Sequence, residues 1–395
     1  MDTLDTLSFD RKELRDLLAL FADQGLGSPD VCAVAPGRVN VIGEHIDYNG
    51  GLVLPAAIDR WTCVALKARE DGMVNLRSSH GEVEPVSFSV EDLAKSEKRC
   101  WSNYVKGVLA GLKRKGFAFP GFDAVVLSTV PVGGGLSSSA ALEAAFSKAV
   151  LELVGESMEP LELARLCQKA EHDYADVPCG LMDQAAVILC EDSKLLLLDC
   201  QDDSYRYADF DDPDWGLMII NSCVSHELSD GGYARRRDVC HQAAAELEVG
   251  TLREVPLAEL DAVLAKDFMD EEKRRYVRHV VTEIDRTLRA VDALAARDYA
   301  LTGQLLNESH ASLRDDYRVS CPELDFISKT AQALEGVAGC RMTGGGFGGS
   351  AIALVRRDQA DMVAETVADA YRERFGIEAG IFETRPAGGA RSWRC

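Results

Sequence analysis

Between Gly37 and Gly51 the chain reads GRVNVIGEHIDYNGG, which packs Arg38, Glu44, His45, Asp47, Tyr48 and Asn49 into one turn-rich run. Such groups suit a ligand with many hydroxyls, because each carboxylate accepts several hydrogen bonds. A solvated surface loop holds the same residue types, so the run alone leaves both readings open. Glu44-His45-x-Asp47 lacks a second histidine or cysteine, so metal binding is not expected there.

Residues 131–146 read PVGGGLSSSAALEAAF. Gly133, Gly134 and Gly135 let a backbone approach a ligand with no Cβ in the way. Leu142, Phe146, Ala149, Val150 and Leu153 then recur at spacings of three and four, which predicts a helix with one apolar face. It starts among Ser137, Ser138 and Ser139, whose side chains are expected to cap its open N–H groups. A helix N-terminus also attracts anions, through those N–H groups and its positive dipole end. Glycines, hydroxyls and a helix start in one run favour a phosphate cradle over a plain flexible turn.

Two further stretches carry candidate chemistry. AEHDYADVPCGLMDQ at 170–184 places Asp183 at the edge of an apolar run. A carboxylate there is a helix cap or a base in a partly dry pocket, and spacing alone favours the cap. In TGGGFGGS, Gly344, Gly346 and Gly349 satisfy G-x-G-x-x-G, but the strand-like SAIALVRR follows. A dinucleotide fingerprint must open a helix, so that reading is rejected. A glycine loop between strands wraps a phosphate or a neighbouring loop, or simply turns. No Walker A loop and no protein-kinase H-R-D or D-F-G set occurs.

The elements that must position these residues are mixed in kind. VCAVAPGRVNVIGEH reads as strand, turn at Pro36-Gly37, strand. LPAAIDRWTCVALKARE, MVNLRSS, FDAVVLSTV, KLLLLDC and WGLMIINS read as strands, and WSNYVKGVLAGLKRKG as a helix. Residues from about 230 to 334 are mostly helical, and a glycine-linked strand pair, a helix and a strand close the chain. Strands and helices do not alternate regularly, so the fold class is α+β. The acidic, aliphatic-poor stretch 201–214 suggests a division into domains at 10–205 and 206–395.

Composition narrows the partners. The 395 residues carry 43 Lys+Arg against 65 Asp+Glu, a net charge of −22. Nucleic acid and anionic membranes need a basic footprint, so neither is expected as a partner. The 12 cysteines include no C-x-x-C pair, which argues against a structural zinc site of that kind and for free thiols in a reducing cytoplasm. No apolar run approaches the length of a membrane span. A monomer is expected.

GRVNVIGEHIDYNGG, PVGGGLSSSA and MTGGGFGGS, in this order and at these separations, resemble the three signature segments of the galactokinase branch of the GHMP small-molecule kinases. WSNYVKG, AEHDYADVPCGLMDQ and Y-x-R-R-R at 233–237 are also similar, and the match runs from about Val31 to the C-terminal end. The resemblance implies two α+β domains with the active site in the cleft between them. It implies transfer of a phosphoryl group from ATP to the anomeric hydroxyl of galactose, with Mg²⁺. By the same resemblance Gly133, Gly134, Gly135, Leu136, Ser137, Ser138, Ser139 and Ala140 wrap the ATP phosphates, and Trp101 lies near the adenine. Ser139 and Glu171 hold the metal; Glu44, His45, Asp47, Gly180 and Tyr233 contact the sugar; Asp183 takes the hydroxyl proton beside Arg38. That role for Asp183 displaces the cap. Ile46 stands where bacterial-type members carry Thr and where some eukaryotic relatives, N-acetylgalactosamine kinase among them, carry Ile. The glycine-poor CGLMDQ tips the choice to galactose. A non-catalytic galactose sensor is the rival of another class, and the Ser139-Ala140 pair favours the enzyme.

Overall fold

The computed structural model describes residues 11–79, 83–96, 100–226 and 232–395. In chain order the strands are β1 (Val31–Asn40), β2 (Leu52–Val53), β3 (Pro55–Arg69), β4 (Met73–Ser78), β5 (Val86–Ser89), β6 (Gly121–Ser128), β7 (Lys194–Asp199), β8 (Tyr205–Asp209), β9 (Trp215–Ser225), β10 (Val337–Thr343), β11 (Gly348–Arg356), β12 (Gly380–Thr384) and β13 (Arg391–Arg394). The helices are α1 (Arg11–Asp23), α2 (Ser102–Arg114), α3 (Ser138–Val154), α4 (Pro160–Ala170), α5 (Met182–Leu189), α6 (Gly232–Glu246), α7 (Leu260–Leu264), α8 (Glu271–Ala295), α9 (Tyr299–Asp315), α10 (Pro322–Gln332) and α11 (Ala360–Phe375). This is the α+β mixture that the irregular alternation implied. No helix among the described residues is long and apolar enough to cross a membrane.

A six-stranded sheet runs β13-β1-β3-β6-β4-β5, antiparallel except where β4 meets β6. All ten residues of β1 are buried, because α3 and α5 pack on it within a continuous core. A strand covered this fully reads as a nearly unbroken apolar run. The expected turn at Pro36-Gly37 is instead an irregularity inside one strand: the β1–β3 register shifts between Pro36 and Arg38. Gly37 is needed there because a Cβ would lie 2.9 Å from the Leu136 carbonyl oxygen. The bulge thus lets the strand pass hard against the 133–137 turn and aims Arg38 toward it.

A second sheet runs β10-β11-β9-β12, with α9 and α10 packed against it, and a small third sheet runs β2-β7-β8. β8 falls in the acidic, aliphatic-poor stretch 201–214. Its side chains are half-buried or exposed, so no apolar pattern marks it, and backbone pairing with β7 alone makes it a strand. β13, at the far end of the chain, pairs with β1 and so returns to the first sheet.

Candidate active site

The bulge in β1, the start of α3 and the start of α5 meet at one point. Arg38 is buried, and its Nε donates to Asp183 Oδ1 at 2.8 Å while Nη2 donates to the same oxygen. Its Nη1 donates to the Gly135 carbonyl oxygen at 2.7 Å. Asp183 Oδ2 accepts from the Ser137 hydroxyl at 2.6 Å. Asp183 sits in the first turn of α5 yet caps nothing. Its side chain keeps 25% of its surface exposed. Oδ1 already accepts two bonds and Oδ2 only one, so a lone pair on Oδ2 is left to take a proton from a ligand.

The turn before α3 has the backbone of an anion site. Gly133, Gly135 and Ser137 all have positive φ, at 73°, 71° and 56°, with Gly134 between the first two in ordinary backbone. Alternation of this kind turns successive N–H groups toward one side, the geometry of an anion-binding nest. The expected serine cap is absent: Ser137 precedes the helix but makes no side-chain cap bond, because its hydroxyl is bonded to Asp183. The first N–H groups of α3 therefore point, uncapped by Ser137, at the same space.

Glu44 and His45 are held differently. Glu44 is only 1% exposed. Its Oε1 accepts the Gly344 N–H at 2.7 Å and lies 3.0 Å from the Thr343 hydroxyl, while Oε2 accepts from Asn40 Nδ2. Buried Arg341 stands behind it, 3.4 Å away. Burial pushes the Glu44 carboxyl up, against the pull of Arg341 and the Gly344 N–H. His45 Nε2 donates to the Gly345 carbonyl oxygen at 3.2 Å, and Nδ1 accepts from Tyr48, whose hydroxyl meets that of Tyr317. Burial, helped by His279 and Arg236, lowers His45 to about 3, so the ring is neutral at ordinary pH. These two side chains clamp the 343–345 segment onto the end of β1.

Asp47 and Gly180 line a cleft of about 460 Å³ with Tyr48, Cys179 and Arg237. A Cβ on residue 180 would lie 1.8 Å from Asp47 Oδ2, so glycine is required for that carboxylate to sit where it does. Burial, with Asp183 next, raises Asp47 to about 7. Ile46 is wholly buried against Gly51 and does not reach the cleft. The Tyr233 backbone belongs to α6, but its side chain lies outside the described residues.

Glu171 and Ser139 meet across the mouth of the turn, the hydroxyl donating to Oε1 at 3.0 Å. Glu171 opens a π-helical turn after α4, a distortion frequent at functional sites. Burial, with Asp183 next, raises its carboxyl to about 7. A buried carboxylate crowded by others calls for a cation. Two hard oxygens 3.0 Å apart also match neighbouring ligands of an octahedral Mg²⁺, whose edges are about 2.9 Å for bonds of 2.0–2.1 Å. The residues fit the metal. Sequence reasoning missed what stands behind them. Gln184 Nε2 donates to Glu171 Oε2 at 2.6 Å, and fully buried Glu143 lies 3.5 Å from the same nitrogen, raised well above the usual carboxylate range by burial. A glutamate four positions after Ser139, on a helix otherwise rich in Ala and Leu, was the available signal. Trp101, just before α2, lines a separate cleft of about 360 Å³ with Tyr104, Tyr174 and Asn103, a setting of aromatic faces suited to a planar base.

Residues 103–191 match the GHMP kinases N terminal domain, residues 290–373 the GHMP kinases C terminal domain, and residues 20–68 the galactokinase galactose-binding signature. A galactokinase of Streptomyces coelicolor is 46% identical over 366 residues, 92% of this chain and 94% of that one.

The chain belongs to the galactokinase family.

A Homo sapiens galactokinase is 42% identical over 377 residues, 94% of each chain. The crystal structure of Lactococcus lactis galactokinase complexed with galactose matches at a TM-score of 0.91 and 36% identity, covering 95% of this chain and 99% of that one. A mevalonate kinase structure, 15% identical, matches at 0.63 and shares the fold alone. This galactokinase-family chain therefore has the GHMP kinase fold that its motifs implied, and the galactose-binding signature spans β1 and the Glu44–Asp47 run.

Proposed function

We propose that this protein transfers the γ-phosphoryl group of ATP to the anomeric hydroxyl of galactose, giving galactose 1-phosphate. The observation that carries the reading is the Arg38–Asp183–Ser137 junction, which sets a quarter-exposed carboxylate beside the nest-like turn. A sugar hydroxyl is a poor nucleophile, so a carboxylate that takes its proton as the oxygen attacks phosphorus lowers the barrier. Arg38 then sits where negative charge grows on the moving group. Residues 133–140 bind the phosphates and Trp101 the base. Phosphoryl transfer rests mostly on such positioning and charge stabilisation. Ser139 and Glu171 hold Mg²⁺, which when bound neutralises phosphate charge.

Asp47 and Gly180 meet the sugar, with Tyr233 from α6 as a further contact. Glu44 and His45 serve the sugar pocket from behind, by fixing residues 343–345 against β1. The buried position of Ile46 removes the direct contact through which it would favour an acetamido sugar, which supports galactose over N-acetylgalactosamine. In this reading the working unit is a cytoplasmic monomer divided at about 10–205 and 206–395, with β13 crossing back. ADP release measured over galactose, glucose, N-acetylgalactosamine, arabinose and mevalonate tests it. Galactose should exceed glucose in kcat/KM by about 10²-fold or more, because a site built for one hydroxyl leaves polar groups unpaired with its epimer. Higher kcat/KM for N-acetylgalactosamine overturns the sugar; no ADP release with any of them overturns the activity.

A further inference from the structure

Away from the active site, His226, Cys321 and Glu323 bring an imidazole, a thiol and a carboxylate together, with ligand atoms all within 4.8 Å of one another. His226 follows β9, Cys321 immediately precedes α10, and Glu323 lies in the first turn of that helix. His226 Nε2 is 3.1 Å from Glu323 Oε2. Cys321 is buried and Glu323 nearly so, whereas the His226 side chain is 49% exposed.

We propose that these three residues bind one borderline-soft divalent cation of the zinc type, with the fourth position open to water. Thiolate, imidazole and carboxylate are the donors of zinc sites, at about 2.0–2.3 Å from the ion. A tetrahedron with such bonds has edges of about 3.3–3.8 Å, so a contraction of about 1 Å closes the set, and half-exposed His226 has room to make it. The thiolate excludes Mg²⁺ as the preferred ion, since Mg²⁺ takes oxygen ligands. Charge balances: binding releases the Cys321 thiol proton to solvent, and thiolate plus carboxylate neutralise the dication. Burial raises the free Cys321 thiol to about 11, the Leu324 N–H in the first turn of α10 pulls the other way, and the cation displaces the proton. His226 and Glu323 stand 97 positions apart, so the set is not a close cysteine-pair site. The site also touches the glycine turn between β10 and β11, because the His226 N–H donates to the Phe347 carbonyl oxygen and the Phe347 N–H to that of Val319. An ion here joins the end of β9, the start of α10 and that turn in one knot.

The test is titration of the full-length, Mg²⁺-saturated protein with Co²⁺, followed by Zn²⁺ as competitor. One equivalent of Co²⁺ should bind with a near-ultraviolet thiolate-to-cobalt charge-transfer band, and Zn²⁺ should displace it. His226→Ala, at a half-exposed position, and Cys321→Ser, nearly isosteric, should each abolish the band or weaken Co²⁺ by more than about 100-fold. That exceeds the 10–100-fold that changes outside a ligand set cost. Binding without the band, no binding, or a band that survives unchanged in either variant overturns the proposal.

Discussion

The turns at 133–137 and 344–349 are both rich in glycine and are put to opposite use. The turn at 133–137 leads into a helix, the Ser137 and Ser139 hydroxyls reach to Asp183 and Glu171, and its alternating φ turns backbone N–H groups to one side. The turn at 344–349 joins two antiparallel strands, and its polar groups are bonded to neighbouring segments of the protein. Gly344 N–H goes to Glu44, the Gly345 oxygen to His45 and Phe347 N–H to Val319. Its glycines serve close approach. A Cβ on Gly346 would lie 2.2 Å from the Val319 oxygen, and one on Gly344 would lie 2.9 Å from the Gly135 oxygen. Glycine content therefore does not mark a ligand site; what the neighbouring polar groups are already bonded to does.

The largest effect expected is chemical and belongs to the first turn. Asp183→Asn keeps the size and one acceptor oxygen for Arg38 but removes the base and the ion-pair charge, and its Nδ2 can only donate to the Ser137 hydroxyl. Turnover should fall by about 10²-fold or more, with galactose binding largely kept and the melting temperature lowered by loss of the buried ion pair. Near-normal turnover in steady-state kinetics would remove the base assignment and, with it, the chemical half of the contrast.

At the second turn the loss should appear in stability. Gly346→Ala places a Cβ at φ +80° against the Val319 oxygen. Strain alone costs about 1–3 kcal/mol, and the clash adds to it. Gly133→Ala has similar φ but nothing within 4 Å, so it should cost only about 1–2 kcal/mol and raise the ATP KM instead. Denaturant unfolding of both variants compares them. Equal losses would mean that crowding does not separate the two turns.

Glu44→Gln sharpens the comparison further. It replaces one acceptor oxygen within a buried set that includes Gly344 N–H, Thr343, Asn40 and Arg341. Stability should fall by about 1.5–3 kcal/mol, the usual scale for a hydrogen bond to a charged group, with a modest rise in galactose KM. A large KM change at unaltered stability would make Glu44 a direct sugar contact.

The smallest effect concerns pH. Asp47, raised to about 7, is neutral below that value and charged above it. A neutral carboxyl accepts fewer hydrogen bonds from sugar hydroxyls, so the galactose KM should rise as pH falls through about 7, by at most about tenfold per unit. Glu171 titrates in the same range, so the control is Asp47→Asn, which should flatten the KM profile. A profile unchanged by that substitution would place Asp47 outside the sugar's contacts.

The sequence by itself determined the α+β character, most of the strands and helices, and the three segments that converge on the site. Those features are local. Periodicity, turn residues and motif spacing are written in neighbouring positions, so β3, β6, α2 and the β10–β11 pair were legible before any folding. Only the tertiary structure decided how each polar group is used. Arg38 and Asp183 are 145 positions apart, and the Glu44 carboxylate meets a backbone N–H 300 positions away. The Pro36-Gly37 pair became a bulge because Leu136 crowds it, Ser137 gave up its cap for Asp183, and β8 and β13 became strands through pairing alone. Hydrogen bonds are satisfied by whatever lies within about 3 Å in space, and that neighbour is set by the packing of the whole chain.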